Sequence, residues 1–397
     1  MSLSLVEKML ERLADIQSRH YKIMFLITLI VTIILASGLT KLEIQTDINK
    51  EMPQNLSVFK LGNKISDTFG GQDIILVLVR LDPDSNIQSA PKDIRDPKVI
   101  QSLVDLEDLL ADESSIDRIQ SIGTIFNTMD GVPSTLDDVR ANLSDIPDSA
   151  MFFNKDYTAT LLYAYTSVGT SEEKTRAVTD SINNYIEQVS KPPGIKLSVT
   201  GILPMRIVIL DLLVHDASFT IIVAALIILG LLIIMQGSIS KAILVFIPLS
   251  MGLIWTIGAM GWLNIPLSIA TVGLGAMILG LGVEYGVFIV ARYDEERDKG
   301  ITQRESLIAT VPSVGYAIFG SATTTMAGFL ALLASAMPMM QHLGLSLALG
   351  IFFSMTAAVV ANPPLILIGE KLSYNRTHKK HRKYTQKLEK HKERKWR

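Results

Sequence analysis

The chain of 397 residues is 48% hydrophobic and 19% charged, which places it among membrane proteins rather than soluble globular ones. It holds no cysteine, so disulfides, thiolate chemistry and Cys-ligated zinc or iron–sulfur sites are excluded. The net charge of −2 is unevenly spread: residues 42–212 carry 26 Asp/Glu against 15 Lys/Arg, whereas the segment after Glu370 carries 12 Lys/Arg against two Glu.

Residues 1–22 are amphipathic, with Val6, Met9, Leu10, Leu13 and Ile16 on one helical face. They read either as an interfacial helix on the cytoplasmic leaflet or as a helix packed on a bundle. The first apolar segment, 23–40, reads as a retained span rather than a cleaved leader, because the charged stretch before it is long and mixed in sign.

Residues 41–212 form an inserted domain. Alternating patterns predict strands over 73–81, 117–125, 158–168 and 195–201, and helices over 97–112, 134–145 and 171–191. That order suggests a ferredoxin-like split β-α-β domain with no metal. It is expected to hold an apolar cleft, with Met151–Phe153 and the strand "LLYAY" either lining it or packing in the core. No Gly-rich phosphate loop, nucleophile elbow or H-E-x-x-H occurs, so the chain does not read as an enzyme.

Residues 213–370 hold five more apolar segments, 217–235, 242–262, 265–291, 311–338 and 343–368, each near the ~20 residues a bilayer needs. Lys8, Arg12, Arg19 and Lys22 precede the first span, and Arg292, Arg297, Lys299 and Arg304 follow the fourth. The loops "WLNIP" and "AMPMMQH" have no Lys or Arg. The positive-inside rule therefore puts both termini in the cytoplasm and the acidic domain outside a cell membrane. Residues 371–397 read as a solvated basic tail, and nucleic acid is not an expected partner.

One stretch stands out, "GLGVEYGVFIVARYDEE". Glu284 is the charged residue set well inside a span, eight residues before Arg292 and so ~12 Å from that boundary. An ionisable group at such depth marks an ion pathway by default. Tyr285 follows it, Gly282 and Gly286 flank the pair, and Gly275 and Gly280 lie one and two turns away. In the fifth span "GSATTTMAGF" sets Gly320, Thr324 and Gly328 at four-residue steps, with hydroxyls on Ser321, Thr323 and Thr325. These small residues suit close helix packing, and the hydroxyls would support a polar partner. Proton relay is the leading reading of Glu284; a protonated structural hydrogen bond and a Na⁺ site are the alternatives.

The fourth-span stretch, the fifth-span "SVGYAIFGSATTTMAGFLALLASAMPMMQHLG" and the segment "VTGILPMR" resemble the RND superfamily, nearest its MmpL-like and hopanoid-exporter branch. The resemblance implies a six-helix RND-type bundle with one extracytoplasmic α/β ferredoxin-like porter domain between the first and second spans. It further implies a proton-driven exporter of hydrophobic or amphiphilic, lipid-like substrates, with protons as coupling ion and no cofactor, in which Glu284 and Tyr285 relay the proton. Two departures matter: Glu284 stands where the family has Asp, and the chain holds one six-helix copy where most members hold two. The expectation is a homodimer, or a trimer, in which Gly282 and Gly286 bring two fourth helices together or else pack the fourth helix on the fifth. A non-pumping sterol-sensing-type protein and a SecDF-like secretion accessory are the other readings.

Overall fold

The computed structural model describes residues 3–45, 48–69, 73–129, 131–166, 168 and 172–371. The basic tail, 372–397, lies outside them, as does Ser171, the expected start of the third helix of the inserted domain. The chain divides into two units, Gln54–Leu212 and the rest. Residues 42–53 belong with the helical unit, where Ile44 pairs with Leu267. The inserted domain is therefore shorter than expected.

The helical unit opens with α1 (Leu3–Ala36). The α/β unit follows with α2 (Ser57–Phe69), β1 (Asp73–Leu81), α3 (Pro97–Ala111), β2 (Ile116–Gln120), α4 (Ile122–Asn127), α5 (Leu136–Ser144), β3 (Ala159–Thr166), α6 (Glu172–Gln188) and β4 (Ile195–Gly201). The four strands form one sheet in the order β2-β3-β1-β4, every neighbouring pair antiparallel. Side chains alternate across a strand, so β1 turns Ile75, Val77 and Val79 inward and β3 turns Leu162 and Ala164 inward. Helix α3 starts where Asp96 accepts from the Lys98 N–H and Pro97 needs no hydrogen bond of its own. It lays Val99, Ile100, Leu103, Leu106 and Leu110 on the sheet side of the core, beside Val178, Ile182 and Ile186 of α6. The expected strand 117–125 splits in two. Ser121 ends β2 because its hydroxyl accepts from Gly123 N–H while its own N–H donates to the Thr124 hydroxyl, a reciprocal cap that turns 122–127 helical.

Five more long helices follow, the first of which starts within Gln54–Leu212: α7 (Ile202–Gln236), α8 (Ile239–Trp262), α9 (Leu274–Asp298), α10 (Gln303–Leu330) and α11 (Pro338–Thr356). With α1 they are six helices long and apolar enough to cross a membrane. Helix α1 is continuous across the expected leader and first span, broken only at His20 (φ −121°, ψ 36°). Val6, Leu10 and Ala14 are buried in the bundle core with Leu13 against them, while Met9 and Ile16 are exposed. The fourth helix begins at Leu274 rather than residue 265, since Pro266 and a Ser268–Thr271 turn hold 265–273 against Glu43 and Gln45. Helix α10 begins earlier than expected because Thr302 and Glu305 form a capping box.

A close backbone approach joins the end of the first span to α8. Gly38, Gly258 and Gly261 meet there so tightly that a side-chain carbon on any of them would overlap the facing backbone carbonyl. That contact uses glycines the sequence reading did not single out.

Candidate functional site

Consecutive helical residues differ by ~100° in direction, so Glu284 and Tyr285 face different surroundings. Tyr285 is 1% exposed and packs in the bundle core with Ile289, Ile318 and Ala322. Glu284, about 100° round the helix, is exposed. Met277, Leu281 and Phe288 are exposed at helical spacing around it, making an outward apolar stripe with one carboxyl at its centre. Among the described residues Glu284 has no hydrogen-bond or ion-pair partner, and no group of His, Asp and Glu is arranged to hold a metal.

The expected neighbours fall elsewhere. Gly282 and Gly286 point away from Glu284. A methyl group on Gly282 would lie 2.8 Å from the Ser354 side chain of α11 and 3.0 Å from Leu249 of α8, and one on Gly286 would lie 2.9 Å from Val245 of α8. The nearest neighbours of these two glycines are therefore α8 and α11 of their own chain. Gly275 abuts Ile221 of α7, whereas Gly280, Gly320 and Gly328 face open space. On α10, Ser321, Thr323 and Thr324 are exposed. The threonine hydroxyls donate to carbonyls of their own helix: Thr323 to Phe319 at 2.7 Å, Thr324 to Ser321 at 2.8 Å and Thr325 to Ser321 at 3.0 Å. The structure brings none of these hydroxyls to Glu284, because a helical Ser or Thr finds its cheapest acceptor one turn back.

Residues 84–397 match the MMPL family. The chain belongs to the MMPL family. It is 36% identical to the putative membrane protein MJ1562 of Methanocaldococcus jannaschii, over 92% of this chain and 95% of that protein. It is 27% identical to the siderophore exporter MmpL5 of Mycobacterium tuberculosis and 25% identical to the probable transport protein MmpL4 of Mycobacterium leprae, each over 48% of this chain. In both comparisons the aligned stretch is 20% of the mycobacterial protein. The two mycobacterial relatives are an exporter and a probable transport protein, and members of the MMPL family are transporters rather than enzymes.

In this MMPL chain the charged run after Glu284 has a structural role. Lys241 of α8 meets Asp294 at 2.6 Å, Arg292 meets Glu296 at 2.6 Å, and Arg297 meets Glu370 at 2.7 Å. The Tyr293 hydroxyl also donates to Glu370, at 2.6 Å. "RYDEER" thus ties the end of α9 to α8 and to the last turn of the sixth span.

A second polar feature lies behind α9 and escaped the sequence reading, which weighed charges and passed over neutral amides. After Thr356 the sixth span passes through a π turn, Ala357–Ala361, and resumes as helix over 362–371. Pro363 and Pro364 have no N–H, so the carbonyls four residues earlier, on Val359 and Val360, lose their usual donors. Gln17 of α1, fully buried, donates its side-chain amide to both, at 2.9 and 3.3 Å. Asn362, also fully buried, donates to the Gly286 carbonyl at 3.5 Å. The legible signal was the Pro pair inside an apolar span.

Proposed function

We propose that the protein is a proton-driven secondary transporter that exports hydrophobic or amphiphilic, lipid-like molecules, with Glu284 and Tyr285 as its mid-membrane relay. One observation carries the reading: Glu284 stands within a span, on an outward face, with no ion-pair partner among the described residues. Such a carboxyl is expensive in hydrocarbon and has a reason to exchange a proton. Tyr285, next in sequence and turned into the bundle core, is the second group of the proposed relay. Membership of a transporter family supports transport over sensing.

The strand order β2-β3-β1-β4 supports a ferredoxin-like reading of Gln54–Leu212 as the porter domain. Basic residues before the first span and after the fourth support cytoplasmic termini and an external α/β unit in the cell membrane. The outward stripe of Met277, Leu281, Glu284 and Phe288 supports an isologous homodimer joined along that face, with a trimer as the other closed arrangement. Membrane lipids are the remaining expected partners.

The test uses purified protein in liposomes with a fluorescent short-chain phospholipid as probe. An imposed pH gradient is expected to drive net movement of the probe across the bilayer, and a protonophore to stop it. Probe movement at the same rate with and without the gradient would overturn proton coupling.

A further inference from the structure

The α/β unit contains an opening of about 250 Å³, lined by Arg95, Arg140, Leu143, Ile146, Phe153 and Tyr157 among others. Asp93 anchors its basic side. The Asp93 carboxylate accepts from the Arg95 N–H at 3.0 Å, from Arg95 Nε at 2.9 Å, and from Nη2 of both Arg95 and Arg140 at 2.7 Å. One carboxylate therefore carries two guanidinium groups. Asp137 touches Arg140 only at 3.5 Å and is 93% exposed, so water screens it. Of the five N–H donors on each arginine, two on Arg95 and two on Arg140 are engaged, which leaves three on each for another acceptor.

The backbone at the same place is held in a conformation that side chains rarely adopt. Tyr157 has φ 49°, the left-handed region, where a bulky residue is an outlier that clusters at ligand clamps. Its N–H donates to Asn154 O and its carbonyl accepts from Ile94 N–H, which fixes the turn. The ring this presents lies 3.5 Å from the Arg95 guanidinium carbon and 5.8 Å from the Phe153 ring. Stacking occupies one face of Arg95 and leaves the donors on its edge.

We propose that this opening binds the anionic head of an amphiphile, a phosphate or carboxylate on a short apolar stem. Arg95 and Arg140 take the charge, and Phe153, Leu143 and Ile146 take the stem. The volume suits roughly eight groups of ~30 Å³ each, a head and a few methylenes rather than a whole lipid. Planar guanidinium groups recognise anionic oxygens in paired fashion, which an ammonium does not. The inference gives the cargo of the transport reading a headgroup chemistry, and it involves no proton step.

The test is calorimetric titration of hexyl phosphate into the full-length protein in zwitterionic nanodiscs, without a pH gradient. Saturable binding is expected, weakened about tenfold or more by Arg140→Gln, since a hydrogen bond to a charged group carries that much, and weakened also by Tyr157→Gly, which removes the ring stacked on Arg95. Tyr157→Gly relieves the strained backbone but removes ring contacts, so unfolding midpoints are read alongside, and a loss of affinity at an unchanged midpoint is not misfolding. Glu284→Gln should bind like wild type, which separates this site from the relay. The proposal is overturned if both site variants bind like wild type, if inorganic phosphate binds as tightly as hexyl phosphate, or if hexyl glucoside competes equally well.

Discussion

The side-chain amide of Gln17, in α1 ahead of the first span, donates to the Val359 carbonyl of the sixth span at 2.9 Å, in place of the N–H that Pro363 lacks. The contact is long-range and fully buried, so water does not substitute for it. Gln17→Leu keeps the volume but orphans the Val359 and Val360 carbonyls, which should cost ~1–3 kcal/mol. Thermal unfolding in detergent reads this as a lowered midpoint; an unchanged midpoint would mean the π turn stands without Gln17.

The two glycines beside Glu284 should respond to substitution differently from Gly280. Gly282→Ala pushes a methyl group within 2.8 Å of Ser354 and should cost ~1–3 kcal/mol through overpacking. Gly280 faces open space, so Gly280→Ala should leave the unfolding midpoint unchanged or raise it, because Ala restricts the unfolded chain. Equal losses in both variants would contradict the packing described for α9.

On the proposed homodimer, the same geometry sets which positions would meet a second copy. Single cysteines at Leu281 and Phe288, both on the outward stripe, should form disulfide-linked dimers in a chain that has no cysteine of its own. A cysteine at Gly286, packed against Val245, should not. Crosslinking at Gly286 but at neither outward position would place the contact on the wrong face of α9.

Two carboxyls of the α/β unit set opposite pH responses. Burial alone would raise Asp93, but hydrogen bonds from Arg95 and Arg140 outweigh it and hold the group well below the usual carboxylate range. A depressed value means its stabilisation is complete above the unfolded value of ~4 and fades as pH falls further. Asp93→Asn should therefore destabilise the unit at pH 7, with the deficit shrinking below pH ~4. Glu107 is shifted upward by burial, against the hydrogen bonds from Ser121 and Thr124. Its neutral form is the favoured one, so its contribution is largest at low pH and falls as pH rises through the folded value. Glu107→Gln keeps an acceptor for Thr124 and should gain on wild type as pH rises from ~4 to 8. Hydrogen exchange of the β1 amides across that range measures both; parallel profiles for wild type and variants would refute the assignments.

Much of the α/β unit was legible because strands alternate and caps are local. β1 and β4 fall at their expected residues, and Asp96–Pro97 starts α3 where expected. The failure at 117–125 came from Ser121 and Thr124, whose hydroxyl exchange outweighs the β-branched content of "SIGTI". In the bundle, length and apolarity located the spans, but not the direction of each face. A helix apolar on all sides has no periodicity to show which side packs, so the role of Gly282 and Gly286 was unreadable while that of Gly38, Gly258 and Gly261 went unnoticed. Gln17 and Asn362 matter through partners more than 70 residues away, which no local pattern reports.

The proposed transport depends on a proton exchanging at Glu284. The decisive measurement compares wild type, Glu284→Gln and Glu284→Asp in liposomes, following movement of the fluorescent phospholipid under an imposed pH gradient. Glutamine keeps the shape and hydrogen-bonding capacity but cannot exchange a proton, so that variant should insert and fold normally yet lose gradient-driven movement. Aspartate, one methylene shorter, should retain part of it. If Glu284→Gln moves the probe as fast as wild type under the same gradient, the relay assignment is wrong.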